Sequence, residues 1–280
     1  ESLGMLFALM AYFSFSLLDA VQKSAIIYHS VFQLLFIKYC FVLILSIIES
    51  RRKKNYSFYK SGNIKLQILR SVLSIVESGC FVLSFRYLSL ADTHSIASLT
   101  PVLVVALSAI ILRENVSLKT WVAIFIGFIG VLVIMRPGLS IFDPKSLIPL
   151  GGAFFLSCYQ IVTRKASETD SNETSLFFTS IVGMFLMGIL GYNFWQPLME
   201  LSIVFFITIG FFFSLGLYFQ IIALSMARAG IIQPFHYTLI FWAIILGYFF
   251  YNDLPDIPTL VGALIITLSG IYTLYSKDHN

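Results

Sequence analysis

The chain has 280 residues, of which 58% are apolar and only 11% charged, and its mean hydropathy is +0.89. That leaves too little polar surface for a soluble domain and puts the chain among polytopic membrane proteins. The net charge of +4 therefore bears on membrane orientation rather than nucleic acid, and no nucleic-acid partner is expected.

The chain opens on Glu1 rather than Met, as a trimmed sequence would. Residues 3–21 are too long for a signal peptide and lack its small-residue cleavage site, so they read as a true first span. Apolar segments are predicted at 3–22, 31–49, 66–88, 91–111, 117–136, 147–165, 174–192, 200–225, 229–251 and 257–275. Each is long enough to cross a hydrocarbon core about 30 Å thick at 1.5 Å per residue. The longest link, 50–65, has no room for a soluble domain.

Ten spans return both termini to one side. That side carries Arg51, Arg52, Lys53, Lys54, Lys60, Lys65, Arg113, Lys119, Arg164, Lys165, Arg228 and Lys277. The other carries only Lys23, Arg86, Arg136 and Lys145, so both termini are expected in the cytoplasm, with the chain in the inner (plasma) membrane.

The two halves repeat. AYFSFSLLDAVQKSA at 11–25 falls against AFFLSCYQIVTRKAS at 153–167. The segments 87–103 and 223–239, and then 105–114 and 244–253, follow in the same order. Each half holds a proline near its fourth span (Pro101, Pro234), then an acid (Glu114, Asp253), then a last span. With five spans per half, the second copy inserts upside down. The expected fold is an all-α membrane protein of ten transmembrane helices, arranged as two inverted five-helix repeats at 1–140 and 141–280.

These residues carry a resemblance. Asp19 and Lys23 close the first span, Lys38 sits in the second and ILRSVL at 68–73 opens the third. The runs 86–137 and 234–267 complete a pattern similar to the drug/metabolite transporter superfamily in its ten-helix EamA-type form. The closing run PFHYTLIFWAIILGYFFYNDLPD looks most like the S-adenosylmethionine uptake carriers of intracellular bacteria. The resemblance implies transport of a small metabolite through a central cavity, driven by an ion gradient or by exchange. In two places the sequence departs from the family: Lys38 and His236 stand where relatives often carry arginine. Lysine at the first gives a point charge instead of a bidentate fork.

Ionisable groups within spans are functional candidates because insertion makes them costly. Lys38 and Glu77 fall at matching depth near the midplane, either facing a cavity or forming a structural ion pair. Glu77 is also the candidate for proton coupling. Asp19 reads as a substrate contact at a cavity mouth or as an i,i+4 partner of Lys23. Arg70 is expected to snorkel to the boundary. His236 and Tyr237 follow Pro234 in a broken helix, a usual setting for substrate. His94 falls near the outer boundary. Phe15, Phe81, Tyr159, Tyr218 and Trp242 are the aromatic candidates for a wall that holds a cation by cation–π attraction. Pro101 and Pro234 are hinge candidates, or simple kinks. Gly127, Gly130, Gly262 and Gly270 suit close helix packing within the bundle or between two copies, which leaves a homodimer open.

The interior charges balance as a zwitterion would require, with Lys38 and Arg70 against Asp19 and Glu77. A secondary carrier for an amino acid or a derivative such as S-adenosylmethionine fits this, working as a proton-coupled carrier or an exchanger. Export of amino acids or drugs is the alternative. A lipid-modifying enzyme fits less well, because Asp92 and His94 lack a nucleophile or metal partner. A purely structural subunit would not need paired charges at mid-depth. No GxxxxGK phosphate loop occurs, and no cofactor or metal is called for.

Overall fold

The computed structural model describes residues 2–111, 118–135, 143–227, 232 and 235–277. Among these the chain is helical throughout, with no strand. In chain order the helices are α1 (Ser2–Ala25), α2 (Val31–Arg52), α3 (Ile64–Phe85), α4 (Leu90–Ala97), α5 (Thr100–Ile111) and α6 (Leu118–Met135). Then come α7 (Leu147–Ala166), α8 (Asn172–Gly191), α9 (Ser202–Met226), α10 (Thr238–Tyr251) and α11 (Ile257–Lys277). Seven segments are long and apolar enough to cross a membrane, α4 and α5 together supplying one of them. Three shorter apolar helices, Trp121–Met135, Thr238–Tyr251 and Ile257–Ser269, complete the set.

Side-chain oxygens start several helices. Ser30, Asn63, Ser89 and Ser171 each accept from the backbone N–H three residues on, capping α2, α3, α4 and α8. The expected fourth span is broken. Ala97 ends α4, Thr100 begins α5, and Pro101 has no N–H to offer the carbonyl of Ala97. Pro234, Gln233 and Glu114 lie outside the described residues.

Helices pair antiparallel. Phe32, Phe36 and Tyr39 of α2 meet Gly191, Gly188 and Gly183 of α8 in reverse order. Gly4 of α1 meets Ala223 of α9 and Ala227 just past its end, while Phe15 meets Gly216. On the other flank, Gly152 of α7 meets Cys80 and Phe81 of α3, and Arg70 reaches Tyr159. The pairings come in matched sets: α1 on α9 mirrors α7 on α3, and α1 on α10 mirrors α7 on α5. The pairs α2–α8 and α6–α11 are each their own mirror image. Between α6 and α11 the backbones nearly touch. A Cβ on Gly130 would come 2.9 Å from the carbonyl oxygen of Gly262, and one on Gly262 would come 2.6 Å from that of Gly130.

Polarity is distributed opposite to a soluble fold. Large apolar side chains such as Phe125, Phe185 and Phe249 point outward, where lipid tails solvate them as well as a core would. Serines, threonines, glutamines, Lys38 and Arg70 lie inside.

Candidate functional site

One face of α1 carries Tyr12, Phe15, Asp19 and Gln22, at a spacing that keeps all four on the same side of the helix. This stripe forms one wall of an interior cavity. Lys38 of α2 faces it, with Glu77, Ser78 and Phe81 of α3 and His94 and Ala97 of α4. Leu156 of α7, Phe213 and Gln220 of α9, and His236 and Leu239 at the start of α10 close the ring. About 70 Å³ of this space is open to water, room for a few molecules.

Lys38 lies fourteen residues before the end of α2 and Glu77 thirteen after the start of α3. Both stand roughly 20 Å from the same end of the bundle, level with each other. They share the cavity and lie within electrostatic reach of one another and of Asp19. No direct ion pair joins Lys38 and Glu77 among the described residues. Instead the Lys38 ammonium sits 4.7 Å from the centre of the Phe213 ring, a cation–π contact.

Asp19 does not pair with Lys23, as the i,i+4 spacing allowed. Its Oδ2 lies 3.1 Å from His94 Nε2, and its Oδ1 accepts from Gln22 Nε2 at 2.9 Å. Lys23 points away, toward the other half of the chain, and binds Asp253 Oδ2 at 2.5 Å. Around that ion pair, Ser24 Oγ meets the Tyr251 hydroxyl at 2.7 Å, and Tyr251 also donates to the carbonyl of Ala20.

Arg70 does not snorkel. It is fully buried because α8 supplies acceptors that the local sequence of α3 does not reveal. Nε donates to Gln67 at 3.1 Å, Nη1 to the Tyr159 hydroxyl at 3.5 Å and Nη2 to Thr179 Oγ1 at 2.5 Å and to the carbonyl of Ser175. Asp170, in the link before α8, completes this cluster by accepting from Ser61, the Gly62 N–H and Gln67. Burial pushes its carboxyl upward, but these donors and the Arg70 charge outweigh burial and hold it below the usual range.

Of the sequence candidates, the cavity gathers Phe15, Asp19, Lys38, Glu77, Phe81 and His236. Four others lie off its lining. Tyr159 is taken up with Arg70. Tyr218 donates to Glu49 at 3.0 Å and accepts from Arg52 at 3.3 Å, near the far end of α2. Tyr237 belongs to a buried apolar cluster that also holds Leu99 and Val131. Trp242 stands edge-on to Phe13, which is 43% exposed on the lipid-facing surface. Sequence reasoning missed Tyr12, Gln22, Phe213 and Gln220, and it gave His94 a peripheral position. The signal for Tyr12 and Gln22 was the helical stripe through Phe15 and Asp19.

A helical bundle with apolar outer faces around a charged interior cavity defines a multi-pass membrane transporter. The chain belongs to the EamA-like transporter family, whose pattern matches residues 2–136 and again 146–275. It is a transporter, not an enzyme, as its relatives are. It is 26% identical over 220 residues to the S-adenosylmethionine uptake transporter of Rickettsia prowazekii, covering 78% of this chain and 74% of that one. It is 23% identical over 270 residues to the pseudopaline exporter of Pseudomonas aeruginosa, covering 96% of this chain and 94% of the exporter. A solved crystal structure superposes with a TM-score of 0.73 over 100% of this chain and 99% of the other, at 14% identity, a likeness of fold alone.

Proposed function

We propose that the chain is a secondary carrier in the inner (plasma) membrane that takes up a small cationic or zwitterionic metabolite by alternating access. S-adenosylmethionine is the leading cargo. The observation that carries this reading is the cavity's own charge. Asp19 and Glu77 face a single lysine, Lys38, among the aromatic rings of Tyr12, Phe15, Phe81 and Phe213. A ligand with a carboxylate for Lys38, an ammonium for one of the two carboxylates and a sulfonium against the rings would match this lining. The Rickettsia relative supports the same cargo.

The mirrored, antiparallel pairings support two inverted five-span repeats at 1–140 and 141–280, and the basic residues gathered on the side of both termini support a cytoplasmic location for them. Rocking one repeat against the other would expose the cavity to each side in turn, with Pro101, at the break between α4 and α5, as one hinge and Pro234, outside the described residues, as the second hinge candidate.

Purified protein in liposomes is expected to accumulate labelled S-adenosylmethionine. Lys38→Ala and Glu77→Gln should each abolish uptake while eluting as folded protein. Wild-type liposomes that exclude the label would end the cargo assignment. The Pseudomonas relative favours a second reading, export of a zwitterionic metabolite, and loading the liposomes from within separates the two directions.

A further inference from the structure

The link between α2 and α3 carries a basic and aromatic surface that the cavity does not use. Its sequence is RRKKNYSFYK at 51–60, and Lys65 follows on the first turn of α3. Two of the basic groups are taken up. Arg52 pairs with Glu49 at 3.0 Å and Lys53 with Glu173 at 2.5 Å. Arg51, Lys54, Lys60 and Lys65 are exposed and have no acidic partner among the described residues. On the adjoining segments Glu49, Asp170 and Glu173 already accept from protein donors, which leaves Glu168, exposed in the link before α8, against four cations.

The loop is pinned in place. Lys54 takes the left-handed conformation, with φ 53°, and turns the chain at the end of α2. Asn55 donates to Ser171 at 3.1 Å and Ser61 to Asp170 at 2.6 Å. Between them the Phe58 ring stands edge-on to Phe177 of α8, 5.1 Å between centres. Tyr56 and Tyr59 are left exposed, and the Lys60 ammonium lies 5.8 Å from the centre of the Tyr59 ring.

Helical register decides what these cations face. On α2 the exposed stripe Ile44, Ile47 and Ile48 runs straight on to Arg51. On α3 Lys65 stands one turn before Ile68 and Leu69, which are exposed as well. The loop joining the two crosses the foot of α8, whose outward face continues from Phe177 to Ile181 and Phe185. The charges therefore lie where lipid-facing side chains end, at headgroup height on the outside of the bundle. Exposed tyrosines at the same height suit that boundary.

We propose that this arc binds the headgroup of an anionic phospholipid, whose chains lie on the outward face of α8. Basic clusters beside a membrane span attract such lipids through their charge. The loop belongs to the first half of the chain, and its partners Asp170, Ser171, Glu173 and Phe177 belong to the second. A lipid seated here presses the two together at this end of the bundle.

Native mass spectrometry of the purified protein, released from nanodiscs of mixed phosphatidylcholine and phosphatidylglycerol, tests the proposal. The wild type should retain phosphatidylglycerol in preference, by about fivefold for each basic residue engaged. A combined variant, Arg51→Gln, Lys54→Asn, Lys60→Gln and Lys65→Gln, should lose the preference; asparagine is chosen at 54 because it tolerates left-handed backbone. Arg86→Gln with Lys145→Gln, outside the arc, should keep it. Equal retention of the two lipids by the wild type, or a preference undiminished in the combined variant, overturns the proposal. If the combined variant does not fold, Lys60→Gln with Lys65→Gln should still weaken the preference by about fivefold or more, and an unchanged value overturns it too. In detergent, phosphatidylglycerol should raise the melting temperature of the wild type but not of the variant, and inorganic phosphate should raise neither. A rise with inorganic phosphate alone marks a site for a soluble anion and overturns the lipid assignment.

Discussion

The two ends of the bundle treat buried charge in opposite ways. Where α3 and α8 begin, the guanidinium of Arg70 meets Gln67, Tyr159, Thr179 and the Ser175 carbonyl, and Asp170 closes the same network from the adjoining link. Nearer the other end, Lys38, Glu77, Asp19, His94 and His236 stand around open space, and two ring nitrogens have no partner among the described residues. A polar network whose donors and acceptors are all matched rigidifies the fold. One with unmatched groups beside a cavity is poised for a ligand. Both kinds of buried charge look alike in the sequence; their partners tell them apart.

The largest expected effect follows directly. Arg70→Met strands several buried acceptors and should cost about 3 kcal/mol or more, read as a lower melting temperature in detergent. Lys38→Met should leave that temperature near the wild-type value while uptake disappears. The reverse pattern, with Lys38 holding the fold and Arg70 dispensable, would exchange the roles of the two ends. Next in size is Gly130→Leu. Its side chain has no room against Gly262 and Ile266, so overpacking of about 1–3 kcal/mol is expected from the same melting assay.

A smaller effect concerns His29, in the turn between α1 and α2. Burial lowers its pKa against a hydrogen bond with Gln33 that raises it, and Ser202 lies 3.1 Å from Nε2. The folded form resists the proton that the unfolded chain accepts. Stability is therefore intact above about pH 6.5, the free-histidine value, and falls as pH drops from there toward the lowered folded value. Melting curves across that window should show the fall, and His29→Gln should flatten it. The least effect is expected at Lys23. Its partner Asp253 keeps 37% of its side chain exposed, so Lys23→Gln should cost no more than about 1 kcal/mol.

The spans were legible in the sequence because their signal is length and apolarity alone, and each predicted segment that lies in the described region overlaps a helix. Lys38 and Glu77 were legible because charge inside an apolar run has no neutral explanation, and equal depth followed from counting residues. Partners were not. Ser175 and Thr179 lie more than a hundred residues beyond Arg70 and read as ordinary polar residues of another helix. Asp19 had a plausible local partner in Lys23, four residues on, and the contact that actually forms comes from α4. Aromatic residues misled most. In a bilayer an outward Phe241 and an inward Phe213 are equally well solvated, so hydrophobic periodicity separates lipid from core poorly.

The glycine-to-glycine contact between α6 and α11 has a consequence for how such a protein can change. Among the described residues neither helix lends a side chain to the cavity, although they are the closing helices of the two halves. The close seam and the cavity lining are therefore built from different residues. Side chains around the hollow can be exchanged, and a new solute accommodated, while the seam that clamps one half to the other keeps its fit.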